Sequence, residues 1–101
     1  YKSVNTAALK AFYFNRASTE LLEAHAGVYK RAAGHPGNNV KIHESAATTQ
    51  RPAGTIVSAP KGWYDAGDYN LYVVNAGIST YTLLAAYEQF GEYFQSQNVN
   101  I

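Results

Sequence analysis

Cysteine is absent from the 101 residues, which rules out disulfides, thiol nucleophiles and cysteine-ligated zinc. The absence fixes no compartment, because many secreted proteins also carry no disulfide. Charge is scarce: 15% of the residues are charged, and the formal net charge is +1. With no cluster of Lys and Arg, the chain has no electrostatic footprint for nucleic acid or for an anionic membrane. There is no Gly-x-Ser-x-Gly elbow, no P-loop and no dinucleotide fingerprint. Internal repeats and low-complexity tracts are missing as well. No signal-peptide pattern precedes the first helical segment, and the first residue is Tyr1. Residues 95–101 form a polar run with no closing element. The chain is therefore expected to be cut from something longer, or processed.

What is present is a globular balance, 47% hydrophobic, enough for one small domain at most. A first helix is predicted to run to about Asn15, capped by Ser3 or Asn5. Lys2, Thr6 and Lys10 mark a polar stripe on it, and Leu9, Phe12, Tyr13 and Phe14 load the rest with apolar area. Residues 17–61 hold most of the breakers: Gly27, Gly34, Pro36, Gly37, Pro52, Gly54 and Pro60. Within them Val40-Lys41-Ile42-His43 and Thr55-Ile56-Val57-Ser58 can pair as a short β ribbon. So long a connection is uncommon in a compact unit, and part of it is expected to wall a site.

A second helix is predicted over residues 69–90, ended by Gly91. Val73, Val74, Ile78, Tyr81 and Leu84 trace one face, while Leu83, Tyr87 and Phe90 load another. Residues 69–87 are uncharged, close to the roughly 20 residues that span a bilayer. Asn70, Asn75, Ser79, Thr80 and Thr82 argue instead for a core helix. A helix apolar nearly all round needs neighbours on several sides, and one other helix cannot supply them.

Chemistry concentrates in residues 62–72, Gly-Trp-Tyr-Asp-Ala-Gly-Asp-Tyr-Asn-Leu-Tyr. Asp65 and Asp68 lie three apart around a glycine, among Trp63, Tyr64, Tyr69 and Tyr72. A carboxylate can take a proton from water, and amphipathic rings can lie against the apolar face of a pyranose. The pair has two readings that spacing does not separate. It can cap the following helix, or it can position and deprotonate a water. An EF-hand loop is excluded, since counting from Asp65 puts Gly67, Tyr69 and Asn70 at positions 3, 5 and 6. His25, His35 and His43 all fall in the loop, none at i, i+4 spacing, and are read as surface or hydrogen-bonded histidines.

Residues 62–88, which begin with Gly-Trp-Tyr-Asp-Ala-Gly-Asp-Tyr-Asn, resemble the N-terminal part of glycoside hydrolase family 9 cellulase catalytic domains. Residues 8–18, Arg51-Pro52-Ala53-Gly54 and Gln97-Asn98-Val99-Asn100-Ile101 are similar to the same family. The resemblance implies an all-α fold, with residues 1–101 the N-terminal fragment of one catalytic domain, an (α/α)6 barrel. Here that fragment is two helices joined by a long loop. The resemblance also implies a secreted endo-β-1,4-glucanase that hydrolyses cellulose or related β-glucans with inversion.

The family's Asp-Ala-Gly-Asp block assigns the general base to Asp68 and the holding of the nucleophilic water to Asp65. Trp63, Tyr64 and Tyr69 become candidate substrate-binding residues. Inversion needs a partner acid about 6.5–9.5 Å from the base. In the family that acid is a glutamate far downstream, and Glu20, Glu23, Glu44, Glu88 and Glu92 lie in no matching context. Leu71 stands where relatives usually have lysine, so a polar contact beside the base is missing. Some relatives hold a structural zinc with cysteines and histidines; without cysteine, and with Tyr64 before Asp65, no metal and no cofactor are expected. The implied partners are a β-1,4-glucan and the remainder of the catalytic domain, with no nucleic acid and no membrane. Two other readings stay open: a non-catalytic carbohydrate-binding unit that uses the same aromatics, and a purely structural fragment.

Overall fold

The computed structural model describes residues 2–101. Helix α1, Lys2–Phe14, is followed by the one-turn helix α2, Glu23–Ala26, then strand β1, Val40–Lys41, strand β2, Ile56–Val57, and helix α3, Val73–Gln95. The ribbon foreseen in the loop forms: β1 and β2 pair antiparallel, Val40 opposite Val57 and Lys41 opposite Ile56. Bonds from Ile42 N to Thr55 O (2.9 Å) and from Gly54 N to Ile42 O (2.9 Å) extend it. The expectation of two helices joined by a loop thus gains a third short helix and keeps its ribbon.

Helix α1 begins at Lys2, so Ser3 and Asn5 lie inside its first turns and do not cap it as expected. Its good helix formers, Ala7, Ala8, Leu9, Lys10 and Ala11, continue until Asn15 closes back on Ala11 O through both its amide N–H (3.2 Å) and its side chain (3.1 Å). The stripe of Lys2, Thr6 and Lys10 is only partly a solvent face. Thr6 and Lys10 are half-buried, and Lys10 Nζ donates to the carbonyl of His25 at 2.7 Å.

The tightest packing follows directly after α1. Ala17 N donates to Gly62 O (2.9 Å), Tyr64 N to Asn15 O (2.9 Å), and Ser18 N to Gly34 O (3.0 Å). The Arg31 guanidinium closes the knot from the side, its Nη2 donating to Phe14 O (3.2 Å) and Arg16 O (2.8 Å). Leu21 and Arg31 exchange both backbone bonds, at 2.9 and 3.1 Å. Three apolar residues are buried among the described residues, Ala17, Leu21 and Ala26, and all belong to this knot or to α2 beside it. Gly37 (φ 68°) sits so close to the chain before Lys61 that a Cβ there would lie 2.6 Å from Ala59 O, so only glycine fits.

Helix α3 starts at Val73 and not at Tyr69 as the sequence suggests. Asp68 is the physical reason: its Oδ1 accepts the Asn70 N–H at 2.9 Å, a local side-chain turn that competes with helix. Tyr72, the N-cap, is extended. At the other end Gly91 does not terminate the helix. Phe90 (φ −130°, ψ 36°) kinks it, and helix continues to Gln95. Ala76, Ser79, Leu83, Ala86 and Phe94 are half-buried at helical spacing. Leu9 and Phe12 of α1 share cavities with them. The remaining faces are open, with Val73 86%, Val74 75%, Tyr81 68% and Leu84 64% exposed. No helix among the described residues is long and apolar enough to cross a membrane.

Candidate active site

Lys61 (φ 77°) and Gly62 (φ 88°) are both left-handed, and this reversal delivers Trp63 and Tyr64 to the end of α1. Trp63 bridges Arg16 in antiparallel fashion. Its indole N–H donates to Phe12 O at 2.8 Å, which pins the ring between the two helices, half-buried. Trp63 and Tyr64 line a cavity of about 170 Å³ with Phe12, Asn15 and Ser79. Tyr64 is half-buried as well, held by its backbone bond to Asn15.

Beyond Tyr64 the chain bends outward, and both aspartates are exposed. Asp68 accepts two local hydrogen bonds, from Asn70 N to Oδ1 (2.9 Å) and from the Tyr72 hydroxyl to Oδ2 (3.3 Å). Asn70 Nδ2 donates to that same hydroxyl at 3.2 Å, which orients the phenol proton toward Asp68. Asp65 Oδ1 accepts from the Asn75 side chain in the first turn of α3. Neither carboxylate caps a backbone N–H of α3, so the capping reading fails for both. An ionised carboxylate has about four lone-pair sites, and each aspartate spends no more than two of them on the protein. The rest face solvent, where a water can be held.

Beside the pair stands an aromatic cluster in which His35 is the centre. The Tyr69 ring stacks on His35 at 4.1 Å between centroids with 28° between planes. Tyr64 meets His35 edge-on at 5.8 Å and Tyr69 at 6.2 Å, and its hydroxyl lies 2.8 Å from His35 Nδ1. Arg31 reaches over the Tyr64 ring at 5.7 Å. His35 and Tyr69 line an open groove of about 610 Å³ with Pro36, Asn38, Asn39 and Leu71. The five residues singled out from the sequence thus fall into three groups. Tyr64 and Tyr69 join the cluster, the aspartates stand at its outer edge, and Trp63 is turned inward against α1.

Sequence reasoning missed His35, Asn75 and the role of Tyr72. Tyr72 lies four residues from Asp68 and Asn75 ten from Asp65, near enough in sequence to carry a faint signal. His35 carried none, because its partners lie 29 and 34 residues away.

The sequence model of Glycosyl hydrolase family 9 matches residues 1–100. The chain belongs to glycosyl hydrolase family 9. Among its family 9 relatives, a Bacteroides ovatus protein described as a xyloglucan-specific endo-beta-1,4-glucanase is 55% identical over 95 residues, covering 94% of this chain and 16% of that protein. Endoglucanase C of Cellulomonas fimi is 34% identical over 98 residues, covering 88% of this chain and 9% of its own length. A solved structure described as Bacteroides ovatus GH9 matches with a TM-score of 0.87 and 54% identity, over 95% of this chain and 18% of that one. The chain therefore spans 16% and 9% of the lengths of these two curated relatives.

Proposed function

We propose that this chain is the N-terminal portion of a secreted endo-β-1,4-glucanase and supplies the water-activating half of an inverting site. Asp68 is the general base. A water bound to its open lone pairs attacks the anomeric carbon of a glucosyl unit and gives up a proton to the carboxylate as the C–O bond forms. Asp65 accepts the second hydrogen of the same water and so aims its oxygen. The leaving glucosyl oxygen takes a proton from a carboxylic acid supplied by the rest of the domain, at the spacing of about 6.5–9.5 Å that leaves room for the water. The anomeric carbon inverts, and solvent exchange returns both carboxyl groups to their starting states. No cofactor enters.

The observation that carries this reading is Asp68 itself, exposed, braced by Asn70 N at 2.9 Å and the Tyr72 hydroxyl at 3.3 Å, with acceptor capacity left over. Tyr69, 70% exposed next to it, offers a ring for a sugar face, with Tyr64 bracing it edge-on at 6.2 Å. The substrate is a β-1,4-glucan. Xyloglucan is the first to test, because the 55% identical relative is described as specific for it. In the whole domain, an (α/α)6 barrel, further helices cover the open faces of α3.

The test is Asp68→Asn in the full-length protein, assayed on xyloglucan and on a soluble cellulose derivative. Loss of a general base lowers kcat by about 10²–10⁴-fold, with KM little changed. Asp65→Asn loses less. An Asp68→Asn enzyme that keeps a tenth or more of wild-type kcat overturns the assignment. The 101 residues alone contain no proton donor for this site and should show no turnover. Activity of the isolated chain that disappears on Asp68→Asn would refute the division of the site into two halves.

A further inference from the structure

We propose that His35 is a positioning residue that turns Tyr69 into a one-sided sugar platform beside Asp68, an inference that rests on the glucanase reading above. Imidazole is suited to two tasks at once. Its face covers one side of the Tyr69 ring at 4.1 Å, while its in-plane Nδ1 meets the Tyr64 hydroxyl at 2.8 Å. The stack stops Tyr69 from flipping, and the hydrogen bond stops the imidazole from swivelling. Tyr64 in turn is fixed by its backbone bond to Asn15 at 2.9 Å. One face of Tyr69 is therefore occupied, and the residue as a whole is still 70% exposed.

The backbone at this point is built for the arrangement. His35 has φ 48°, a left-handed conformation that costs a non-glycine residue on the order of 1 kcal/mol. Ser18 holds it there on both sides, its N–H donating to Gly34 O (3.0 Å) and its hydroxyl to His35 O (2.6 Å). Gly34 removes the last obstacle, since a Cβ there would stand 3.1 Å from the Tyr64 hydroxyl. A strained histidine, its serine clamp and a glycine clearance all serve one contact. Asparagine at position 35 could keep a polar contact to Tyr64 but has no face to stack. Phenylalanine could stack but not bond. A metal site does not explain the residue, because among the described residues no three His, Asp or Glu side chains gather.

The experiment uses the full-length protein carrying Asp68→Asn, so that binding is read without turnover, and titrates a β-1,4-gluco-oligosaccharide by calorimetry. His35→Ala should raise Kd about three- to tenfold, the range one aromatic contact supplies. His35→Asn should match it. His35→Phe should recover most of the affinity. In the active background the same defect appears in KM, with kcat held. An unchanged Kd in His35→Ala, or a His35→Phe variant as weak as His35→Ala, overturns the proposal. So does a loss confined to melting temperature. The underlying reading fails separately: an Asp68→Asn enzyme that still turns over removes the base while the His35 effect on Kd stands. Wild-type protein that binds no gluco-oligosaccharide removes both.

Discussion

The knot at residues 15–18 and the long helix α3 are held by opposite means. At the knot, Asn15, Ala17 and Ser18 share backbone hydrogen bonds with Tyr64, Gly62 and Gly34, all far away in sequence, and Ala17 is completely buried. Helix α3 has an internal ladder and one half-buried face, while Val74 and Leu84 on its other sides remain mostly in water. Each net hydrogen bond of the first kind contributes about 0.5–1.5 kcal/mol, and burying one leucine contributes about 1.5–3 kcal/mol. The chain therefore contains the interactions that shape its candidate site and lacks the burial that would stabilise its longest helix. Helix α3 reaches the residue after Tyr64, the knot's partner, where Asn75 in its first turn donates to Asp65. One aspartate thus depends on the helix, whereas Asp68 is braced by its own neighbours, Asn70 and Tyr72.

The contrast is broken most directly at Leu84, which is 64% exposed. In the full-length protein, where we propose that other helices cover α3, Leu84→Ala should cost about 2–5 kcal/mol in urea unfolding, the usual range for a buried leucine. In the isolated 101 residues it should leave helix content by circular dichroism unchanged, because an exposed leucine has little to lose. A small effect in both would mean that this face meets solvent in the whole protein too, and the proposed barrel would lose its support. Ala17→Leu should behave in the reverse manner. Ala17 is 0% exposed within these residues, so extra methylenes overpack the knot wherever the chain is studied, by about 1–3 kcal/mol. Amide exchange at Ala17 and Tyr64, whose N–H groups bond Gly62 and Asn15, reports the loosening. Protection that survives in both forms would show that the knot has room for a larger side chain at position 17.

Legibility in the sequence followed the same division. Local patterns were readable: the β-prone runs around Val40 and Ile56 do pair, and the apolar surplus of residues 73–90 does leave a helix short of neighbours. Errors fell where one side chain outcompeted a pattern. Asp68 captures the Asn70 N–H and delays α3 to Val73, and the backbone at Phe90 kinks where Gly91 suggested an end. The polar stripe of Lys2, Thr6 and Lys10 could not show that the His25 carbonyl would take the Lys10 ammonium. In the candidate site, the aspartates and tyrosines could be singled out because they share one short stretch. His35 could not, since its left-handed backbone and its contacts with Tyr64 and Tyr69 arise only in the fold.

The smallest expected effect tests how far the knot reaches into the site. Ser18 is itself left-handed (φ 53°), and its hydroxyl clamps His35 O at 2.6 Å. Two substitutions separate these facts. Ser18→Ala removes the hydroxyl and keeps the strained φ, so it loses about 0.5–1.5 kcal/mol for the bond with nothing returned. Ser18→Gly removes the same hydroxyl but adopts positive φ at no steric cost, which offsets part of the loss. Both keep the N–H that donates to Gly34 O. Chemical denaturation should therefore rank serine above glycine and glycine above alanine. Kd for a gluco-oligosaccharide should rise less than in His35→Ala, because the imidazole and its two partners are still present. Alanine more stable than glycine would mean that position 18 does not need a left-handed backbone, and the clamp under His35 would be weaker than its geometry implies.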